Sequence, residues 1–412
     1  LLEKILKGKD VLVFNCDSSE TRDLIISRES YIIERLEALA KGPIEKRRYP
    51  IYLFLDEVQK LPESFEILKQ IYDRYQDKVK IILSGSSSLL LKKKSAETLA
   101  GRITFYYLHP FTLEEANIFY KRKDDFDVFP WFEKFISGQF TRITGNELSL
   151  KKRFLKAPCE DTFQNYLLWG MMPPRFHLKT EDEWIVFLRD YIDTYIDKDM
   201  RATERIGSLS DYKNTVRLMG SQIGGLINYS SFASALGIHR QTVKEYLTIM
   251  DQSLLGFRLS AYSRSLKRRI SKAEKTFLVD NGLAYYFMGL LKEEILNMSG
   301  RYGNLYENFW VAEFKKFSNL ISPQISLYYW RLAGANPPEV DIVTEYRGVV
   351  VPVEIKSKLS LIPKDIKGIK SFFDTFAESK DFEIPYGAVI YKGEYKYLKE
   401  ERIHLIPEWF WY

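Results

Sequence analysis

The sequence predicts a multi-domain α/β protein, and three observations support this class. The chain has 412 residues, more than one ordinary hydrophobic core accommodates. Helix and strand patterns alternate through the first 120 residues, whereas residues 126–260 have a mainly helical pattern. Strand patterns return after residue 276. We therefore expect an α/β domain at each end of the chain and a helical region between them.

Composition excludes several classes of protein. Apolar residues make up 45% of the chain, which excludes wholesale disorder. The longest apolar runs have the length of a strand, so no membrane partner is expected. The chain has two cysteines, Cys16 and Cys159, and therefore no disulfide framework, which favours a cytoplasmic location. The four histidines are scattered, so we predict no zinc site.

The first 120 residues contain three apolar segments, "VLVFNCD", "IYLFLDE" and "VKIILSG", joined by helical segments. Strands that are almost continuously apolar and alternate with helices are typical of a parallel sheet covered on both faces. The second segment ends in Asp56 and Glu57, and the third ends in Ser84 and a serine-rich turn that includes Ser86. We therefore expect these polar side chains to lie together at the carboxyl edge of the sheet.

Such an edge suits a nucleotide. Asp56 can hold Mg²⁺ through its water shell, and Glu57 can polarise the attacking water. Ser84 and Ser86 are candidates to sense the γ-phosphate, and Arg102 is a candidate to stabilise phosphate oxygens. Two alternatives stay open, since an Asp-Glu pair also serves as a helix cap with a first-turn acid, and Arg102 also fits a structural ion pair.

The segment "FASALGIHRQTVKEYL" has the spacing of a helix-turn-helix, with a small residue at Ala233, a turn at Gly237 and a core anchor at Val243. The second helix would expose side chains suited to phosphates and base edges. These predicted contacts are His239, Arg240, Gln241 and Lys244, with Lys267, Arg268 and Arg269 in a basic flank. The alternative is a winged helix that contacts protein.

The segment "EVDIVTEYRGVVVPVEIKSK" predicts a hairpin. If the hairpin is symmetric about its Arg-Gly turn, Asp341 faces Glu354, and Lys356 lies on the same face. Glu307, in a preceding helical segment, can complete the cluster. The carboxylates of Asp341 and Glu354 would bind Mg²⁺, and the lysine would orient or help deprotonate a nucleophilic water. An exposed hairpin with a salt bridge is the alternative.

The order of several segments resembles a known family. "FLDEVQKLP", "IILSGSSSLLL", "AETLAGRI" and "LHPFTLEEA" resemble the prokaryotic AAA-type ATPases that carry a DEVQK-like box. "YLLWGMMPP", "KTFLVDNGL", "LYENFW" and "VPVEIKSK" resemble the C-terminal module of uncharacterised function that usually follows. The resemblance covers nearly the whole chain and implies a P-loop NTPase sheet with ATP and Mg²⁺ as cofactors.

One motif of that family, G-x-x-x-x-G-K-[ST], is missing from these 412 residues. "LLEKILKG" resembles the remainder of the helix that follows it, so we expect an N-terminally truncated P-loop sheet and poor ATP binding by this stretch. Glu307 and the hairpin resemble the restriction-endonuclease-type core, D…ExK after a helical Glu. The predicted domains are an ATPase core at 1–125, a helical lid at 126–200, a winged helix-turn-helix at 201–275 and a nuclease-like domain at 276–412.

Two functions remain open at this point. In the first, the protein is an ATP-hydrolysing AAA-type enzyme that acts on DNA through the helix-turn-helix and the nuclease-like domain. In the second, it is a nucleotide-regulated signalling or interaction protein whose nuclease-like fold is inactive. ATP is a partner under both, DNA only under the first, and a homo-oligomer or a protein partner is compatible with either.

Overall fold

The computed structural model contains two compact units, Leu1–Phe105 with Tyr195–Gly207, and Tyr106–Thr194 with Ser208–Tyr412. The structure describes residues 6–28, 30–85, 98–119, 128–140, 142–143, 159–202, 208–265, 267, 269, 272–289, 292–321 and 323–411. Within these ranges, no helix combines the length and the apolar character that a membrane crossing requires.

The first unit is built on a parallel sheet of three strands in the order β1-β2-β3. Its elements are β1 (Val11–Asn15), α1 (Ser19–Ser27), α2 (Tyr31–Ala40), β2 (Ile51–Asp56), α3 (Ser64–Tyr75) and β3 (Val79–Leu83), with short 3₁₀ turns at Ile44–Lys46, Val58–Lys60 and Gln76–Lys78. Strand and helix alternate as the sequence indicates. The predicted multi-domain α/β class and the parallel sheet are thereby confirmed.

Burial in the first unit differs between the two faces of the sheet. Ile51, Leu53 and Leu55 of β2 are fully buried against a core that includes the apolar side of α3. Tyr52 and Phe54, which alternate with them, are half-buried in the described part of the chain. Because side chains alternate along a strand, an apolar run places half of its residues on each face.

The second unit contains a mixed sheet of eight strands in the order β10-β11-β9-β8-β7-β6-β4-β5. Its strands are β4 (Gly256–Ala261), β5 (Lys275–Leu278), β6 (Ser326–Arg331), β7 (Glu339–Tyr346), β8 (Val349–Lys356), β9 (Gly387–Tyr391), β10 (Lys396–Leu398) and β11 (Ile403–Pro407). β4 lies before the predicted boundary between the third and fourth domains and β5 spans it, and both lie in the same sheet as the hairpin β7–β8.

Helices occupy much of the rest of the second unit. They are α4 (Leu113–Phe119), α5 (Val128–Ile136), α6 (Cys159–Trp169), α7 (Glu181–Ala202), α8 (Leu209–Ser221), α9 (Tyr229–Leu236), α10 (Arg240–Gln252), α11 (Asn281–Met288), α12 (Glu293–Met298), α13 (Tyr302–Ser318) and α14 (Lys367–Phe376). Short 3₁₀ helices lie at Pro173–His177, Pro363–Ile366 and Glu408–Trp411. The last residues of α7 belong to the first unit.

Two of these helices position candidate functional residues. α9 ends at Gly237, whose φ of 67° lies in the left-handed region that glycine adopts without strain, and α10 begins three residues later with Val243 fully buried. The local helix-turn-helix geometry therefore follows the predicted spacing. α13 is buried along most of its length, so its polar residues point into the interior of the unit and need partners there.

Candidate functional site

The hairpin β7–β8 brings two carboxylates face to face. Its antiparallel register runs from Ile342 opposite Val353 to Tyr346 opposite Val349, which confirms the register that the symmetric turn predicts. Asp341 and Glu354 follow at the open end and hydrogen-bond to each other. Their exposed fractions are only 8% and 4%. The structure therefore brings these two predicted residues together in a buried setting.

Lys356 lies between the two carboxylates. Its Nζ is 3.3 Å from Asp341 Oδ2 and also donates to the Glu354 carboxylate. The amide of Ile355 donates a second hydrogen bond to Asp341 Oδ2 at 2.8 Å. Burial alone would lower the pKa of Lys356, but the charges of Asp341 and Glu354 raise it, so the side chain is an ammonium ion at neutral pH.

The two carboxyl groups respond differently to this environment. Burial and the charge of Asp341 raise the pKa of Glu354 well above its ordinary value. Burial also opposes ionisation of Asp341, but Lys356, Lys275 and the Ile355 amide hold the pKa of Asp341 below its ordinary value. Within this pair, ionisation is therefore disfavoured at Glu354 and favoured at Asp341.

Glu307 lies on α13 close to this pair, and its partner is a residue that the sequence does not single out. Lys275 of β5 donates from Nζ to Glu307 Oε1 at 3.0 Å and also forms an ion pair with Glu339. Burial and the nearby Asp341 raise the pKa of Glu307 to about 7, although Lys275 opposes that rise. The sequence analysis missed Lys275 and Glu339, although each had a signal: Glu339 is two positions before Asp341 on the same strand face, and Lys275 is the charged first residue of a short strand.

Two glycines allow the backbone to approach these carboxylates closely. A Cβ atom on Gly368, in the first turn of α14, would lie 1.9 Å from the Glu339 carbonyl oxygen and 2.2 Å from Glu354 Oε1. A Cβ atom on Gly224 would lie 3.2 Å from Glu307 Oε2. Within the described ranges, no group of three or more His, Cys, Asp or Glu side chains is arranged to hold a metal ion. Asp341 and Glu354, facing each other, still form an oxygen-donor pair of the kind that Mg²⁺ shares with waters and substrate phosphate.

The first unit places its predicted residues at the carboxyl edge of the parallel sheet. The Ser84 hydroxyl, just after β3, donates to the carboxylate of Asp56 at the end of β2. Glu57 has a φ of 52°, uncommon for a residue with a side chain, and its carboxylate accepts from the Gln59 amide. Asp56, Glu57 and Ser84 are half-buried. The structure therefore brings these three together, whereas Ser86 lies outside the described residues.

Arg102 is paired within the first unit. Its Nε lies 2.8 Å from Asp73 Oδ1, and its Nη2 lies 3.3 Å from Asp73 Oδ2, a two-pronged ion pair with a residue of α3. This placement matches the structural ion pair that was the alternative for this residue.

The predicted nucleic-acid contacts that the structure describes are exposed, with one exception. On α10 and its cap these are His239, Arg240, Gln241 and Lys244, and in the flank Lys267. Gln241 also donates to Glu245 at 3.2 Å. Arg269 is instead half-buried, since its guanidinium contacts Glu345 at 3.2 Å and donates to the Tyr328 hydroxyl at 2.8 Å. Arg268 lies outside the described residues.

Three family models match successive parts of the chain. Residues 1–117 match an AAA domain. Residues 160–294 match a domain of unknown function (DUF8612), and residues 302–411 match another (DUF4143). The last match contains the hairpin β7–β8, and the first contains Asp56, Glu57 and Ser84.

Three relatives are similar to this chain over most of its length. Uncharacterized protein Rv2008c of Mycobacterium tuberculosis is 21% identical over 355 residues, which are 86% of this chain and 67% of the relative. Uncharacterized protein Mb2031c of Mycobacterium bovis has the same values. An uncharacterized protein of Haemophilus influenzae is 20% identical over 317 residues, 75% of this chain and 67% of its own. The chain thus has an AAA domain at its N-terminal end and, at its C-terminal end, a domain of unknown function (DUF4143).

Proposed function

We propose that the protein hydrolyses ATP at its AAA domain and cleaves DNA in a Mg²⁺-dependent reaction at the site formed by Asp341, Glu354 and Lys356. The match to an AAA domain and the hydrogen bond between Ser84 and Asp56 support the first activity. The observation that carries the second is the pair of buried carboxyl groups, Asp341 and Glu354, that face each other across the hairpin.

The chemistry of the pair favours a divalent cation. Burial and the charge of Asp341 oppose ionisation of Glu354, even though Lys356 lies beside both groups. Mg²⁺ would supply the missing positive charge and would polarise a phosphate oxygen of the substrate. In this proposal Lys356, an ammonium ion beside both carboxylates, positions the attacking water or the scissile phosphate.

The route to DNA in this proposal is α10. Its exposed Arg240 and Lys244 carry charge suited to the phosphate backbone, and Gln241 between them is suited to a base edge. Lys267 would extend the contact as a flank. Arg269 already has a carboxylate and a hydroxyl as partners, so in this proposal it supports the flank and does not touch the nucleic acid.

A second function is favoured by one observation. Lys356 pairs with both carboxylates, so the cluster is close to neutral once Glu354 is protonated, and it can persist without a metal. A protein of this kind would bind a partner under the control of a nucleotide and would cut nothing.

Thermal unfolding with and without Mn²⁺ tests the metal site. We expect millimolar Mn²⁺ to raise the melting temperature of the second unit, because a ligand that binds only the folded state stabilises it. Asp341→Asn should remove that rise and the cleavage of duplex DNA, whereas Asp374→Asn, at an exposed position of α14, should change neither. A melting curve that does not respond to Mn²⁺, together with no cleavage, would support the partner-binding function.

The dependence of DNA binding on salt tests the role of α10. Replacing Arg240 and Lys244 with alanine should weaken binding and flatten the plot of log K against log salt by roughly one unit per lost phosphate contact. Lys370→Ala, at a position whose partner is Glu401, is the control. An unchanged slope in the double variant would assign α10 to protein contact.

A further inference from the structure

We infer that Lys275 is a built-in cation that keeps Glu307 and Glu339 away from the metal position, so that the second unit takes one divalent ion. The inference rests on the proposed metal site at Asp341 and Glu354. In this arrangement Lys275 is a positioning residue, and Glu307 is its partner instead of a metal ligand.

The burial of Lys275 is the first observation. Its exposed fraction is 3%, and its Nζ lies 3.0 Å from Glu307 Oε1 and in contact with Glu339. The face of the Tyr329 ring lies 5.8 Å from the same Nζ. Removing an ammonium ion from water costs several kcal/mol, so such a residue is tolerated only where carboxylates compensate for it. Glu307 and Glu339 provide that compensation, so each of them already has a cationic partner.

The second observation is that the four carboxylates divide into two sets. Asp341 and Glu354 share Lys356, whose side chain is 24% exposed, whereas Glu307 and Glu339 share Lys275, whose side chain is 4% exposed. The carboxylates of the first set are themselves the more buried ones, but their lysine is the more exposed, so an arriving cation can displace Lys356 into solvent more readily than Lys275. The second set already contains a cation that solvent does not reach.

The third observation is the segment that covers Lys275. Residues 224–227 run along β5, where the amide of Gly224 donates to the Thr276 carbonyl at 2.8 Å and the amide of Ile227 donates to the Glu274 carbonyl at 2.8 Å. Gly224 has a φ of 73° and lies against Glu307 without a side chain between them. The backbone of this segment therefore lies directly against Glu307, the partner of Lys275.

Counting bound Mn²⁺ by electron paramagnetic resonance tests this arrangement. The measurement uses the whole chain without nucleotide, in an Asp56→Asn background so that ions at the first unit are not counted. We expect one ion per chain. Glu307→Gln should keep that ion with a dissociation constant within about threefold, whereas Asp341→Asn should weaken it at least tenfold. Lys275→Met should admit a second ion, and Lys275→Arg should not.

The outcomes separate this inference from the function on which it rests. If Glu307→Gln loses the ion as Asp341→Asn does, or if the background protein binds two ions, Lys275 does not have this role, although the metal site stands. If the background protein binds no Mn²⁺, the proposed metal site fails and the inference fails with it. Should Lys275→Met not fold, the Glu307→Gln result decides by itself, because glutamine keeps the size of the side chain.

Discussion

The two carboxylate sites of this protein obtain their counter-charges in different ways. Asp56 and Glu57 lie half-buried at the end of a parallel strand, and the structure gives them a hydroxyl from Ser84 and an amide from Gln59 as partners. Asp341 and Glu354 lie buried in a hairpin and share an ammonium ion. The first arrangement suits a site at which a cation binds together with the ligand. The second suits a buried site whose carboxylates need a counter-ion from the protein itself, because the chain must fold before any ligand binds.

Strand geometry explains this difference. Parallel strands end at one edge of a sheet, so residues that follow them gather in an open row near solvent. Antiparallel strands place residues directly opposite each other along their whole length, so a pair can be formed where both sheet faces are covered. The described partners of Asp56 and Glu57 thus include a hydroxyl and an amide, whereas Asp341 and Glu354 share an ammonium ion.

The largest expected effect is the selective loss of a different activity in each of two variants. In a form of the protein that supplies a phosphate-binding loop, Glu57→Gln should lower ATP hydrolysis by ~10²–10³-fold while nucleotide binding remains, because the water is no longer polarised. Asp341→Asn should lower DNA cleavage by a similar factor and leave ATP hydrolysis unchanged. Both rates are measured on the same preparations. Equal loss of both rates in either variant would contradict the independence of the two sites.

A smaller effect is expected from the contact between α14 and the buried carboxylates. Gly368→Ala should destabilise the second unit by about 3 kcal/mol, because its Cβ would overlap the Glu339 carbonyl and the Glu354 carboxylate. Gly303→Ala is the matched control, since its Cβ would meet only the Ser357 hydroxyl at 4.0 Å and alanine favours a helix by about 0.5–1 kcal/mol. Urea unfolding measures both. Equal urea midpoints for the two variants would show that α14 does not pack closely against Glu339 and Glu354.

The smallest expected effect is on stability in acid, and it arises from a buried histidine. His404 packs against Phe140, Tyr386 and Tyr397, and burial lowers its pKa to about 4. Because the folded state resists protonation, its stability should fall as the pH drops from 6.5 towards 4, by at most about 3 kcal/mol from this residue.

His404→Phe should reduce this loss and keep the aromatic packing. His239→Gln, at an exposed position, should leave the loss unchanged. Unfolding midpoints measured between pH 7 and pH 4 compare the two variants. If His404→Phe is as acid-sensitive as the unaltered protein, the loss arises from other groups.

Much of the fold could be predicted because its signals are local. The apolar runs around Leu53 and Val351 identify strands, and the left-handed position at Gly237 follows from the need for a sharp turn between two helices. The register of β7 and β8 was also predictable, since a two-residue turn sets which residues face each other. The same register places Asp341 opposite Glu354.

The sequence by itself therefore determined the elements, the hairpin register and the facing carboxylates, because each depends on residues close together in the chain. Only the tertiary structure decided which charges meet across elements. Lys275 reaches Glu307 and Glu339 because β5, α13 and β7 converge, and Arg102 and Arg269 find carboxylates on other elements in the same way. Such pairs have no spacing in the sequence, since long-range packing and the cost of burying an unpaired charge select them.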